Sequence, residues 1–151
     1  MRATVQSARG GRTKTVRDIM RHHVVSVVPE MTVRELVQTF LEEHVRGAPV
    51  LGPTGKVIGL VSETDVLRAM LPTHANGNGN GAAPADADRV CVGDIMGPVP
   101  FVFSPGDAVS RVAHTFAADG VQRVVVIEND ILLGIVTPAD LMRTLDGAAA
   151  C

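Results

Sequence analysis

The chain has 151 residues, 46% of them apolar, with 14 basic against 16 acidic side chains, the size and balance of an ordinary globular domain of about 100–200 residues. Aromatic residues make up only 3% and include no Trp or Tyr, which excludes interleaved basic and aromatic surfaces for stacking the bases of single-stranded nucleic acid. No window holds about 18 uninterrupted apolar residues, and the first turns of the chain lack the apolar stretch of about 7–15 residues of a secretory signal, so neither membrane nor nucleic acid is an expected partner and the cytosol is the expected location.

Residues 1–15 read as a basic, flexible arm. Arg2, Arg9, Arg12, Lys14 and Arg17 fall in the first 17 residues without an acid, leaving the other 134 with nine basic and 16 acidic side chains, a net of −7. Such an arm is either solvated and disordered or a contact for an acidic partner. Its Arg-rich, acid-poor composition also resembles an organellar transit peptide.

The first ordered segment opens with Val16-Arg17-Asp18-Ile19-Met20. Val24 to Val28 is a β-branched run stopped by Pro29 and predicts a strand; Val33, Leu36, Val37, Phe40 and Leu41 recur at helical spacing. Ala48–Leu51 and Lys56–Val61, joined by Gly52-Pro53-Thr54-Gly55, predict two short strands, and Ser62 opens a second helix. Thr73 to Asp88 reads THANGNGNGAAPADAD; without apolar periodicity it is a flexible linker, and sixteen such residues reach roughly 20 Å. The pattern then repeats. Val92-Gly93-Asp94-Ile95-Met96 echoes the opening 76 residues on, and the offset pairs Pro29 with Pro105, Phe40 with Phe116 and Val50 with Val126. It becomes 75 after the second turn, Glu128-Asn129-Asp130, and pairs Gly59 with Gly134, Asp65 with Asp140 and Arg68 with Arg143. The expected organisation is a repeat over 16–72, a linker over 73–89, a repeat over 90–146 and a tail over 147–151. Each unit is β-α-β-β-α, an α+β arrangement of α/β-like order. Neither is large enough to bury a sufficient core alone, so the two are expected to pack as a pseudo-two-fold pair.

The tandem units, the opening Val-x-Asp-Ile-Met and the closing Gly59-Leu60-Val61-Ser62-Glu63-Thr64-Asp65 and Gly134-Ile135-Val136-Thr137-Pro138-Ala139-Asp140 resemble a tandem pair of cystathionine β-synthase (CBS) domains, here free-standing. The resemblance implies a Bateman module: a non-catalytic regulator that binds AMP, ATP or another adenosyl compound in clefts between the repeats, requires no cofactor, and acts on its own assembly or on a partner protein. It implies disc-like homodimers through exposed CBS faces. By the same resemblance Val45-Arg46, Val121-Gln122, Val28 and Ser104 line the clefts.

The closing motif has two physical readings. A hydroxyl followed three residues later by a carboxylate, where a strand meets a helix, is an N-cap and first-turn acid worth about 1 kcal/mol, and Pro138 after Thr137 suits that geometry. A helix N-terminus also offers N–H groups and a positive dipole end to a phosphate, which Ser62 or Thr137 helps to bind. Asp65 or Asp140 can then accept two neighbouring ribose hydroxyls. A dry slot between aliphatic side chains suits adenine. Arg46 reaches either a phosphate or Glu42 and Glu43; Gln122 carries no charge, so the first-copy side is expected to be the better phosphate site. The alternative function is a ligand-independent scaffold whose Ser/Thr-x-x-Asp motifs only cap helices. A third reading is a redox or stress-response factor acting through Cys151 or the basic arm.

Catalytic and metal chemistry find little support. His22 and His23 are adjacent and point to opposite sides of an extended chain, with no ligand at metal spacing. His44 and His114 read as helix-surface residues, and His74 lies in the linker. Cys91 and Cys151 form no CxxC pair, and no Gly-x-Ser-x-Gly, Gly-x-x-x-x-Gly-Lys or His-Glu-x-x-His occurs. Met20 and Met96, at the repeat entrances, are expected to pack.

Overall fold

The computed structural model describes residues 14–71 and 86–149, with side chains described through Leu145. Residues 1–13 of the arm, most of the Gly/Asn linker with His74, and Cys151 lie outside the described residues. The chain divides into two compact units. One, here the Ser62 unit, takes residues 23–71, 86–100 and 129–132; the other, the Thr137 unit, takes 14–22, 101–128 and 133–149.

In the Ser62 unit, helix α2 (Val33–Glu43) starts in a capping box: the Thr32 hydroxyl accepts from the Glu35 amide at 3.2 Å, and the Thr32 amide donates to the Glu35 carboxylate at 2.9 Å. Val33, Leu36 and Phe40 face the core, whereas Leu41, expected on the same stripe, is exposed. His44 ends the helix in the left-handed region (φ 56°), with its amide bonded to the Phe40 carbonyl. It is therefore a C-cap rather than a helix-surface residue, and its counterpart in the other repeat is Gly120 (φ 66°). Strands β1 (Gly47–Leu51) and β2 (Val57–Ser62) pair antiparallel from Gly47↔Ser62 to Leu51↔Val57, with a bulge at Val50/Leu51. They lead into α3 (Glu63–Met70), and α4 (Val92–Ile95) completes the unit.

The strand expected over residues 24–28 is a single parallel bridge, Val27↔Val50. Val27 donates to the Pro49 carbonyl at 3.0 Å and accepts from Leu51 at 2.8 Å. The next rungs of a parallel ladder need amides from residues 29 and 49, and both are prolines, which have none. In the second copy Val125 replaces Pro49, and β3 (Val102–Phe103) is long enough to count as a strand. The end of the predicted linker is also ordered: Asp86–Arg89 form a turn closed by Arg89 N to Asp86 O at 2.9 Å, and the Ala87 carbonyl accepts the Arg34 amide at 3.0 Å. That bond satisfies a first-turn donor of α2, a reason for the turn to be fixed.

The Thr137 unit holds α1 (Val16–Ile19), β3, α5 (Val109–Asp119), β4 (Val124–Glu128), β5 (Ile131–Val136) from Leu133 on, and α6 (Pro138–Ala149). Its sheet runs β3-β4-β5, with β3 parallel to β4. Asn129 and Asp130, both at positive φ, make the two-residue type I′ turn that suits the twist of a hairpin. Val16, Phe103, Val112, Val124, Val126 and Val136 form the core of this unit; Val27, Leu36, Val50, Val61 and Val92 belong to that of the other.

The opening helix of each sequence repeat thus folds onto the sheet of the other repeat. Arg21, just beyond α1, exchanges backbone bonds with Ile135 (2.9 and 3.2 Å); Gly97, just beyond α4, exchanges them with Leu60 (3.0 and 2.8 Å). Met20 and Met96 pack as expected, each over a glycine. A Cβ on Gly134 would sit 2.8 Å from both the Arg21 carbonyl and Met20 Sδ, and one on Gly59 would sit 2.9 Å from the Gly97 carbonyl and Met96 Sδ. Because one obstacle in each case is backbone, Gly59→Ala and Gly134→Ala are expected to cost about 1–3 kcal/mol each in urea unfolding, while Gly106→Ala, with nothing within 4 Å, should change stability by under about 0.5 kcal/mol.

Candidate functional site

Both closing motifs form at the junction of the last strand of a sheet with the helix that follows. In the Ser62 unit, Asp65 Oδ2 accepts from the Ser62 amide (2.8 Å) and hydroxyl (3.0 Å), and the Asp65 amide lies 3.3 Å from Ser62 Oγ. Asp65 Oδ1 accepts no hydrogen bond among the described residues; Arg68 stands 3.9 Å from it, beyond hydrogen-bond reach, and the side chain is 23% exposed. The Glu63 amide donates to the Arg46 carbonyl at 2.9 Å, which brings Arg46 to the same end of the sheet as Ser62. The Arg46 side chain is exposed, and among the described residues no carboxylate lies within 4.0 Å of it, so the pairing with Glu42 or Glu43 that the sequence allowed is not formed.

The Thr137 unit repeats the turn with a different outcome. Asp140 Oδ2 accepts from the Thr137 amide (2.8 Å) and hydroxyl (3.1 Å). Its Oδ1 accepts from Arg21 Nε at 3.0 Å and Arg143 at 2.9 Å, and the carboxylate is 4% exposed. Arg143 is the repeat counterpart of Arg68. Arg21 has none: its counterpart is Gly97. The sequence reading missed Arg21, although its position directly after Ile19-Met20, opposite a glycine in the other copy, was the available signal.

The remaining expected site residues divide by register. Val45 is half-buried and lines a groove of about 260 Å³ with Val37, Phe40, Leu41, Glu63, Val66 and Leu67. That volume is below the usual range of about 300–1,000 Å³ for small-molecule clefts. Val28 follows the Val27↔Val50 bridge, so in a parallel pair it stands level with Leu51, at the opposite end of β1 from Gly47 and Ser62; it is 46% exposed. In the other unit Val121 is half-buried, and Gln122 and Ser104 are exposed. The Ser104 amide donates to Asp107 at 2.8 Å. The same acid at the third position also serves Thr15 through Asp18 (2.8 Å) and Cys91 through Asp94 (3.0 Å). Recurrence of a capping carboxylate in both copies therefore does not by itself mark a ligand site, because the Asp18 and Asp94 pair recurs too.

Profile and structural comparisons agree with this architecture. The family profile of the CBS domain matches residues 16–72 and 92–147, and the chain belongs to that family. The uncharacterized protein MJ1225 of Methanocaldococcus jannaschii is 30% identical over 130 residues, covering 86% of this chain and 42% of that protein, so the chain spans less than half the length of this relative. Crystallised CBSX2 in complex with AMP superposes with a TM-score of 0.72 at 24% identity, over 89% of this chain and 98% of that one. The CBS domain pair of MJ0100, in complex with 5′-methylthioadenosine and S-adenosyl-L-methionine, gives 0.71 at 18% identity over 89% and 97%. At these identities the two structures establish the fold: a mixed helix-and-sheet CBS pair. Among the described residues no helix is long and apolar enough to cross a membrane.

The unequal surroundings of the two carboxylates predict unequal costs of removal. Asparagine at 140 must present its NH₂ either to the part-buried Thr137 donors or to the two half-exposed arginines, setting a buried donor against a donor, so Asp140→Asn should cost about 2 kcal/mol. Asparagine at 65 can turn its NH₂ toward the open side, and Asp65→Asn should cost about 1 kcal/mol or less. Chemical unfolding of the two ligand-free variants measures the difference.

Proposed function

We propose that the chain is a non-catalytic regulatory module that binds an adenosine-containing ligand such as AMP or ATP at a Ser/Thr-x-x-Asp turn, foremost Ser62–Asp65, and thereby modulates its own assembly or a partner protein. The observation that carries this reading is the free side of Asp65. Its Oδ2 is used by Ser62, while Oδ1 has no hydrogen bond among the described residues, and the side chain is 23% exposed. An oxygen with two lone pairs suits two neighbouring ribose hydroxyls. Arg46, held at the same end of the sheet by its carbonyl, supplies positive charge for a phosphate, and the first turn of α3 adds its dipole. The adenosyl ligands of the CBSX2 and MJ0100 structures support the ligand class.

The capping carboxylates at Asp18, Asp94 and Asp107 favour a second reading, a ligand-independent scaffold in which Asp65 and Asp140 are only two more caps. Thermal melts with AMP, ATP, NAD and S-adenosylmethionine separate the two. A ligand at 100 times its Kd should add about 2.7 kcal/mol of stability, and Arg46→Ala should lose more of the shift with ATP than with adenosine. No shift with any of the four compounds leaves the scaffold.

Assembly is read as a homodimer through helical faces. Leu67 and Leu71 in the Ser62 unit, and Met142 and Leu145 in the Thr137 unit, are each more than 60% exposed, more apolar surface along the closing helices than a solvated face needs. Sedimentation of the chain at tens of micromolar should give a dimer that Leu67→Glu or Met142→Glu converts to monomer; a monomeric parent chain ends this reading.

A further inference from the structure

The two closing turns share one backbone design and differ in what reaches the carboxylate. A carboxylate offers about four acceptor positions. At Asp140 all four are taken: the Thr137 amide and hydroxyl on Oδ2, Arg21 Nε and Arg143 on Oδ1. At Asp65 the two on Oδ1 are open, with Arg68 at 3.9 Å. Of the two donors on Asp140 Oδ1, Arg143 is the half-exposed helix neighbour that Asp65 also has in Arg68, set at 2.9 Å rather than 3.9 Å, and Arg21 is the donor that has no counterpart. Arg21 and Gly97 each follow an exchanged opening helix and each pair through the backbone with the strand that ends in the motif, at Ile135 and Leu60 respectively. Only Arg21 has a side chain to send to the aspartate. Its backbone is pinned by the Ile135 bonds at 2.9 and 3.2 Å, so the guanidinium is delivered by the sheet and not by a loose loop.

We infer that Arg21 latches the second-copy aspartate shut, so that the chain offers one adenosine site, at Asp65, and acquires a second only when the Arg21 side chain is removed. This rests on the nucleotide reading proposed above and adds to it the stoichiometry and the residue that sets it. A ribose approaching Asp140 has no acceptor left and meets a 4% exposed carboxylate, whereas Asp65 Oδ1 holds no hydrogen bond among the described residues and its side chain is 23% exposed. Arg21 is thus a specificity-determining residue outside the Ser/Thr-x-x-Asp motif.

Calorimetric titration of the full chain with AMP tests the inference. The parent chain should bind one AMP, Asp65→Asn should weaken that site at least tenfold, and Arg21→Gly, which copies Gly97 and keeps the backbone pairing, should bind two. The double variant Arg21→Gly with Asp65→Asn should bind one, at the released aspartate. Two equivalent sites in the parent chain, or one site remaining in Arg21→Gly, overturns the latch. A ligand-free measurement separates this from failure of the nucleotide reading itself: hydrogen exchange of the arginine Nε–H groups by NMR. If no variant binds AMP, the nucleotide reading falls. An Arg21 Nε–H exchanging at least tenfold more slowly than that of Arg46 still upholds the latched carboxylate, and equal rates overturn it.

Discussion

The fold depends on a close backbone approach at two glycines. Gly134 and Gly59 stand in the strands that end in the closing motifs, and each leaves room for the backbone and methionine that follow an opening helix: Arg21 O and Met20 Sδ at Gly134, Gly97 O and Met96 Sδ at Gly59. A side chain at either position would push that segment away. With it would go the antiparallel bridges Arg21↔Ile135 and Leu60↔Gly97 and the burial of Val16 and Val92, both fully buried. The same approach decides which residue is carried to the rim of each motif, and so links packing to the chemistry of the aspartates.

At the motifs, structural and functional demands fall on the same atoms. A carboxylate that caps a helix spends one oxygen on the turn, as Oδ2 does at both Asp65 and Asp140. What the other oxygen meets is then free to diverge between copies without disturbing the cap. In the Thr137 unit it is committed to two half-exposed arginines, an arrangement that keeps a buried charge compensated. In the Ser62 unit it has no hydrogen bond among the described residues. The two turns are alike, and what differs is the donor set on the second oxygen: Arg21 where the other copy has Gly97, and a helix arginine at 2.9 Å where the other stands at 3.9 Å.

Much of the architecture was legible in the sequence, because its signals are local. The 76-residue offset located both copies, the helical spacing from Val33 and the hydroxyl of Ser62 marked the helices where α2 and α3 begin, and Glu128-Asn129-Asp130 marked the tight hairpin. The misses are long-range or depend on one atom. The run over 24–28 looked like a strand because β-branching was counted and Pro29 was taken only as its stop, while the amide missing from Pro49 on the partner strand was not counted. The stripe through Leu41 looked like core because periodicity tells which residues share a face, not how wide the neighbouring sheet is. The Arg21–Asp140 contact spans 119 residues and follows from the exchange of opening helices, which no local pattern announces: a Val-x-Asp-Ile-Met segment reads the same whichever sheet receives it.

That exchange also bears on how such a chain can change over generations. Each compact unit is assembled from both copies of the repeat, so a gene that lost one copy would lose part of both cores, and a single copy transplanted elsewhere would arrive without the helix that covers its sheet. The heritable unit is therefore the pair. Point changes at places such as residue 21 remain open as a route to altered behaviour, while gain or loss of a lone repeat does not.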